Sequence, residues 1–104
     1  LTIDMKYQLV IQWPASSTLD YDALIEIEEI LEEHLSDRID GHDAGSSEMN
    51  IFIHTDDAEK AFDEVREVLS ANDFWVDAKA AYREMESEDY VVLWPAGLKT
   101  FSIA

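Results

Sequence analysis

Five polar side chains fall in one short stretch of this chain: His42, Asp43, Glu48, Asn50 and His54. Histidine beside carboxylates is the raw material of acid–base work or of a metal site. A divalent ion wants three or four convergent ligands. Whether these side chains converge depends on the hairpin that carries them. A turn around Ser46-Ser47, with Gly45 opposite Glu48, pairs Ala44 with Met49, Asp43 with Asn50 and His42 with Ile51. Alternation then puts Asp43, Asn50, Phe52 and His54 on one face and His42 on the other, with Met49, Ile51 and Ile53. One more loop residue would change that sorting. In this register the two histidines do not meet, and the bland account is a polar turn with its own hydrogen bonds. No spacing here matches a mechanistic motif, and there is no phosphate loop, nucleophile elbow or H-E-x-x-H helix.

The elements that must position these residues follow from periodicity. Residues 6–13 alternate, with Tyr7, Leu9, Ile11 and Trp13 against Lys6, Gln8, Val10 and Gln12, and Pro14 ends the strand. Ser16, Ser17 and Thr18 offer capping hydroxyls, and Asp20 and Asp22 favour a helix start. A helix is predicted over 19–35, with Leu24, Ile27, Leu31 and Leu35 as its apolar stripe. Its outer face carries Glu26, Glu28, Glu29, Glu32 and Glu33, and His34 suits its C-terminal dipole. A weak strand over 39–44 is interrupted by Gly41, and 49–54 is a strong short strand.

A second helix starts at Asp56-Asp57-Ala58-Glu59, with Asp56 expected as the cap. It buries Ala58, Ala61, Phe62, Val65, Val68 and Leu69 and closes at Asn72-Asp73. Residues 74–83 alternate as a strand, with Phe74 and Val76 opposed to Trp75, and 90–94 form the last strand before Pro95. A tail follows over 96–104, with Leu98, Phe101 and Ile103.

The order is β-α-β-β-α-β-β, an α+β class in which two helices cover one face of an antiparallel sheet. It resembles the ferredoxin-like sandwich over nearly the whole chain, of the kind found in dimeric α+β barrels. The stretch from Asp40 to Ile53 also resembles a segment recurring in small uncharacterised bacterial proteins. Fold likeness carries no function. Dimeric α+β barrels often enclose a cavity between their sheets, so the resemblance implies a site lined by His54, Asn50 and Asp43.

Composition sets the outer limits. The 104 residues make one domain, with residues 1–4 read as an upstream remnant because Met5-Lys6 looks like a start. There are no cysteines, so disulfides, thiolate metal sites and cysteine nucleophiles are excluded. No apolar run approaches the roughly 20 residues of a membrane helix, and no signal peptide is visible, so a cytoplasmic location is expected. No cofactor is expected.

The formal net charge is −17, from 24 acids against 7 lysines and arginines. Such a field repels phosphate backbones and anionic membranes. Apolar residues on both sides of several strands predict an uncovered apolar sheet face, which marks a contact site. A homodimer is the simplest cover; the C-terminal tail could cover part of the face instead, or cross to a partner. Burying roughly 400 Å² per subunit is worth about 10 kcal/mol gross. Trp75 is expected at that second face or at an interface.

Three functions compete. The expected one is a non-enzymatic interaction module of the inhibitor, immunity or antitoxin type. It would meet a basic partner through Glu26, Glu29 and Glu33. The alternative is a small-molecule binder or modest enzyme with its site near the central hairpin. The third is a nucleic-acid mimic, its carboxylates in place of phosphates.

Overall fold

The computed structural model describes residues 5–17, 19–35, 38–45 and 47–103. Leu1 to Asp4, Thr18 and Ser46, on which expectations fell, lie outside the described residues. The elements are β1 (Tyr7–Pro14), α1 (Tyr21–His34), β2 (Arg38–Ala44), β3 (Glu48–Thr55), α2 (Ala58–Ala71), β4 (Lys79–Glu84) and β5 (Val91–Trp94). The strands form one five-stranded sheet in the order β2-β3-β1-β4-β5, each neighbouring pair antiparallel.

The helices take one face of it. Leu9, Ile11 and Trp13 of β1 and Met49, Ile51 and Ile53 of β3 pack with Leu24, Ile27 and Leu31 of α1 and Ala61, Phe62, Val65 and Leu69 of α2. Each large side chain buried this way contributes about 1.5–3 kcal/mol gross, so the alternation in β1 and β3 fixes which sheet face meets the helices.

At both helix starts the cap is an aspartate: Asp20 in place of the expected hydroxyls at α1, and Asp57 in place of Asp56 at α2. Asp20 caps α1, its side chain accepting from Ala23 N at 2.9 Å. Ser17 Oγ accepts from Leu19 N at 3.3 Å and caps nothing. Asp57, not Asp56, caps α2, accepting from Lys60 N at 3.1 Å. Asp56 accepts from Lys6 N, at 3.1 Å, and ties the start of β1 to the end of β3. Two adjacent aspartates look alike in sequence; the one whose backbone is extended and whose side chain reaches N3 becomes the cap.

The expected strand over 74–83 begins only at Lys79. The reason is the exit from α2. Phe74 N donates to Leu69 O at 2.8 Å and Asp73 N to Ser70 O at 3.3 Å, a Schellman closure with Asp73 at φ 62°. Asp77 is also left-handed, at φ 56°. Two such residues four apart cannot lie in a pleated strand, so alternation does not apply there. Phe74 and Trp75 both pack against the helix-side core, and the expected opposition between them is absent. The Trp75 ring lies 6.0 Å from Phe62 and 6.0 Å from Trp94, well inside edge-to-face range.

The second face is not bare. Val10 and Ala81 are fully buried there, as is Asn50, and Gln12 is 5% exposed. Gln12 Nε2 donates to Asn50 Oδ1 and to the Ser102 carbonyl, both at 3.0 Å. Phe101 packs tilted against Tyr90 with centroids 5.0 Å apart. The chain's own tail therefore lies across this face, pinned at a buried amide.

Candidate functional site

The β2–β3 hairpin sorts the candidate residues. Its pairing is Ala44↔Met49, Asp43↔Asn50 and His42↔Ile51, the register expected for a two-residue loop. His42 therefore stands on the helix side of an edge strand, and Asn50 and His54 on the other.

His42 meets α1. Tyr21 and Glu28 are seven residues apart, two turns, and so share one side of that helix. The Tyr21 hydroxyl lies 3.1 Å from His42 Nε2, and His42 Nδ1 lies 3.0 Å from Glu28 Oε2. An ionised carboxylate only accepts, so Nδ1 carries the proton toward Glu28. In the neutral ring, Nε2 is then an acceptor, and the phenol donates to it. The Tyr21 ring meets the imidazole edge-on at 5.7 Å. Glu28 and His42 are mostly covered, while Tyr21 is 53% exposed. The result is a chain of carboxylate, imidazole and solvent-facing phenol.

His54 joins a different pair. Its Nε2 lies 3.1 Å from Asp40 Oδ2 on the opposite face. Asn50 is committed to Gln12 beneath the tail, and its Nδ2 reaches Glu48 Oε1 at 3.5 Å. Asp43 is exposed at the outer end of β2. The five hairpin candidates thus form separate groups, and among the described residues no three His, Asp or Glu side chains converge to hold a metal. Tyr21 and Asp40 were not among the expected site residues, and Glu28, expected on the outer acidic face of the helix, turns in toward His42 instead and is 18% exposed. The seven-residue spacing of Tyr21 and Glu28 was the available signal for that pair.

A cleft of about 660 Å³ lies between the 83–90 segment and the tail, lined in part by Arg83, Tyr90, Phe101 and Ile103. Arg83 is occupied structurally: its Nη1 donates to the carbonyls of Glu84, Met85 and Ser87 and its Nε to Gln8. None of the five hairpin candidates lines this cleft, nor the groove of about 470 Å³ between His34 and α2.

The outer surface of the helical layer is acidic. Glu26, Glu29 and Glu33 follow an i, i+3, i+7 stripe on α1, and Glu59, Asp63 and Glu67 follow i, i+4, i+8 on α2; all six are exposed. None of the six has a hydrogen bond or ion pair among the described residues. The arginine of α2 does not relieve them. Arg66 is laid over the rings of Phe62 and Trp94, at 5.6 and 5.2 Å from their centroids. Trp75, expected as a partner contact, is spent on the same aromatic group. No helix among the described residues is long and apolar enough to cross a membrane.

Comparison of the chain with protein-family models, with curated proteins and with solved structures finds no match.

Proposed function

We propose that this chain is a non-enzymatic interaction module of ferredoxin-like topology that docks a basic protein through its helical layer. The strand order supports the topology: β2-β3-β1-β4 is the sandwich order, with β5 appended beside β4. The observation that carries the functional reading is the pair of unneutralised carboxylate stripes on α1 and α2. Exposed like charges side by side cost stability, and a basic surface is what offsets that cost. An inhibitor, immunity or antitoxin-type role fits such a surface.

The competing reading, a ligand cavity of a dimeric α+β barrel lined by His54, Asn50 and Asp43, has less support. Asn50 is fully buried and bonded to Gln12 beneath the tail.

The test is affinity capture from source extract, with the wild-type chain beside a Glu26→Lys, Glu29→Lys, Glu33→Lys variant. The expected result is a basic protein retained by the wild type, released at 1 M salt, where the Debye length is about 3 Å, and lost to the variant. A captured protein that is acidic or neutral, and indifferent to both salt and charge reversal, overturns the reading.

A further inference from the structure

The phenol of Tyr21 differs from the other tyrosines of this chain. Tyr7 and Tyr82 meet edge-on at 5.5 Å, and Tyr90 packs tilted against Phe101. Among the described residues only Tyr21 has its hydroxyl within hydrogen-bond distance of a base. That base is oriented by a carboxylate on its far nitrogen. Nucleophile, base and orienting acid in hydrogen-bonded series is the arrangement that activates a hydroxyl.

We propose that Tyr21 is a nucleophilic hydroxyl that accepts acyl groups from neutral or cationic activated esters. His42 is its general base and Glu28 a positioning residue. In the step, Tyr21 Oη attacks the acyl carbonyl carbon. The Oη–C bond forms and the bond from that carbon to the ester oxygen breaks. The phenol proton passes to His42 Nε2 and from there to the departing oxygen, so the products are an O-acyl tyrosine and an alcohol. Glu28, on Nδ1, holds the ring with Nε2 aimed at the phenol and stabilises the transient imidazolium. No oxidant, metal or further reactant is needed. The donor class follows from charge: Glu28 lies one imidazole away from the nucleophile, and a chain of net charge −17 repels acyl phosphates and other anionic donors. Tyr21 is 53% exposed, so a small ester can approach the residue from solvent.

The experiment treats the full chain with p-nitrophenyl acetate, follows p-nitrophenol release, and maps acetylated residues by mass spectrometry. Tyr21 is expected to acetylate at least about tenfold faster than Tyr7, Tyr82 or Tyr90 in the same sample, and His42→Gln to lower its rate by on the order of 10²-fold. Glu28→Gln, which keeps a hydrogen-bonding partner but not the charge, is expected to fall between them. Acetyl phosphate at low salt is expected to react more slowly than the neutral ester. Tyr21 reacting no faster than Tyr90 overturns the proposal, as does an unchanged rate in a His42→Gln protein whose amide spectrum is native. If His42→Gln does not fold, the comparison among the tyrosines of the wild type decides alone. Acetyl phosphate matching the neutral ester overturns the donor class.

Discussion

Asp40 Oδ2 sits 3.1 Å from His54 Nε2 because Asp40 is the extra residue of a bulge: Ile39 pairs with Ile53 and Gly41 with Phe52, leaving Asp40 without an opposite number. The bulge rests on Gly41, whose φ is 114°. A Cβ there would meet nothing within 4 Å, so the requirement for glycine is conformational and not steric. Gly41→Ala is therefore expected to cost about 1–3 kcal/mol and to break the Asp40–His54 pair. The pair itself, partly exposed, is worth no more than about 1 kcal/mol. Urea denaturation of Gly41→Ala beside Asp40→Asn separates the two terms: the glycine change should cost clearly more. Equal midpoints for both would mean that the bulge is not the strained element.

The left-handed exit from α2 gives a prediction of opposite sign. Asp73 holds φ 62° at the Schellman position that glycine usually fills. An L-residue there costs roughly 1–2 kcal/mol, against which glycine loses more chain entropy on folding. Asp73→Gly is expected to stabilise by up to about 1 kcal/mol, read as a raised denaturation midpoint, and Asp73→Ala to destabilise. A destabilised Asp73→Gly would show that the carboxylate itself holds the turn.

Trp75 tests which sheet face the 74–78 loop joins. It packs with Phe62 and Trp94 on the helix side, and its indole N–H is buried without a partner among the described residues. Trp75→Phe is accordingly expected to cost less than about 1.5 kcal/mol, as a swap that keeps a ring, and Trp75→Ala about 3 kcal/mol, near the low end for a lost aromatic. A Trp75→Ala protein as stable as the wild type would return Trp75 to the surface.

These positions also show what sequence could and could not reveal. The hairpin register was legible because alternating apolar residues in β3 and a two-residue loop leave one pairing that buries Met49, Ile51 and Ile53. The helix stripes were legible for the same reason of period. Asp73 and Asp77 were not, because aspartate tolerates a left-handed backbone without announcing it as glycine does. Nor was the meeting of Tyr21, Glu28 and His42, which needs the edge strand docked on α1 before the seven-residue spacing acquires a third member. Strand residues predicted the apolar second face, and the tail was one of its possible covers, but nothing local placed it there. Where the tail lies depends on Gln12 reaching a carbonyl ninety residues away, a long-range contact with no local signature.

The tail gives a prediction about that face. Gln12 binds both Asn50 and the Ser102 carbonyl, and Phe101 adds a ring contact to Tyr90. Gln12→Ala leaves the Oδ1 of the buried Asn50 without its partner, a cost of about 1–3 kcal/mol, and unfastens residues 98–103. Faster hydrogen exchange and proteolysis confined to that segment are expected, together with increased self-association in sedimentation, since the sheet face beside Gln12 then loses the tail. A tail equally protected in the variant would show that other contacts hold it.

The acidic helical layer predicts a salt response in the isolated chain. Carboxylates along Glu26–Glu29–Glu33 and Glu59–Asp63–Glu67 have no cationic partner among the described residues, so they repel one another wherever solvent does not screen them. At low ionic strength, with a Debye length of about 30 Å at 0.01 M, the two stripes act on each other; at 1 M, with about 3 Å, they do not. The melting temperature should therefore rise as salt is added. The Glu26→Gln, Glu29→Gln, Glu33→Gln variant should start higher at low salt and respond less. The neutralised variant should at the same time bind the proposed basic partner more weakly, mainly through a slower association rate, because steering acts on encounter more than on release. Stability and binding moving in opposite directions on the same three substitutions is the signature of charges retained for a partner. A variant that gains stability and binds unchanged would instead assign the acids to solubility alone.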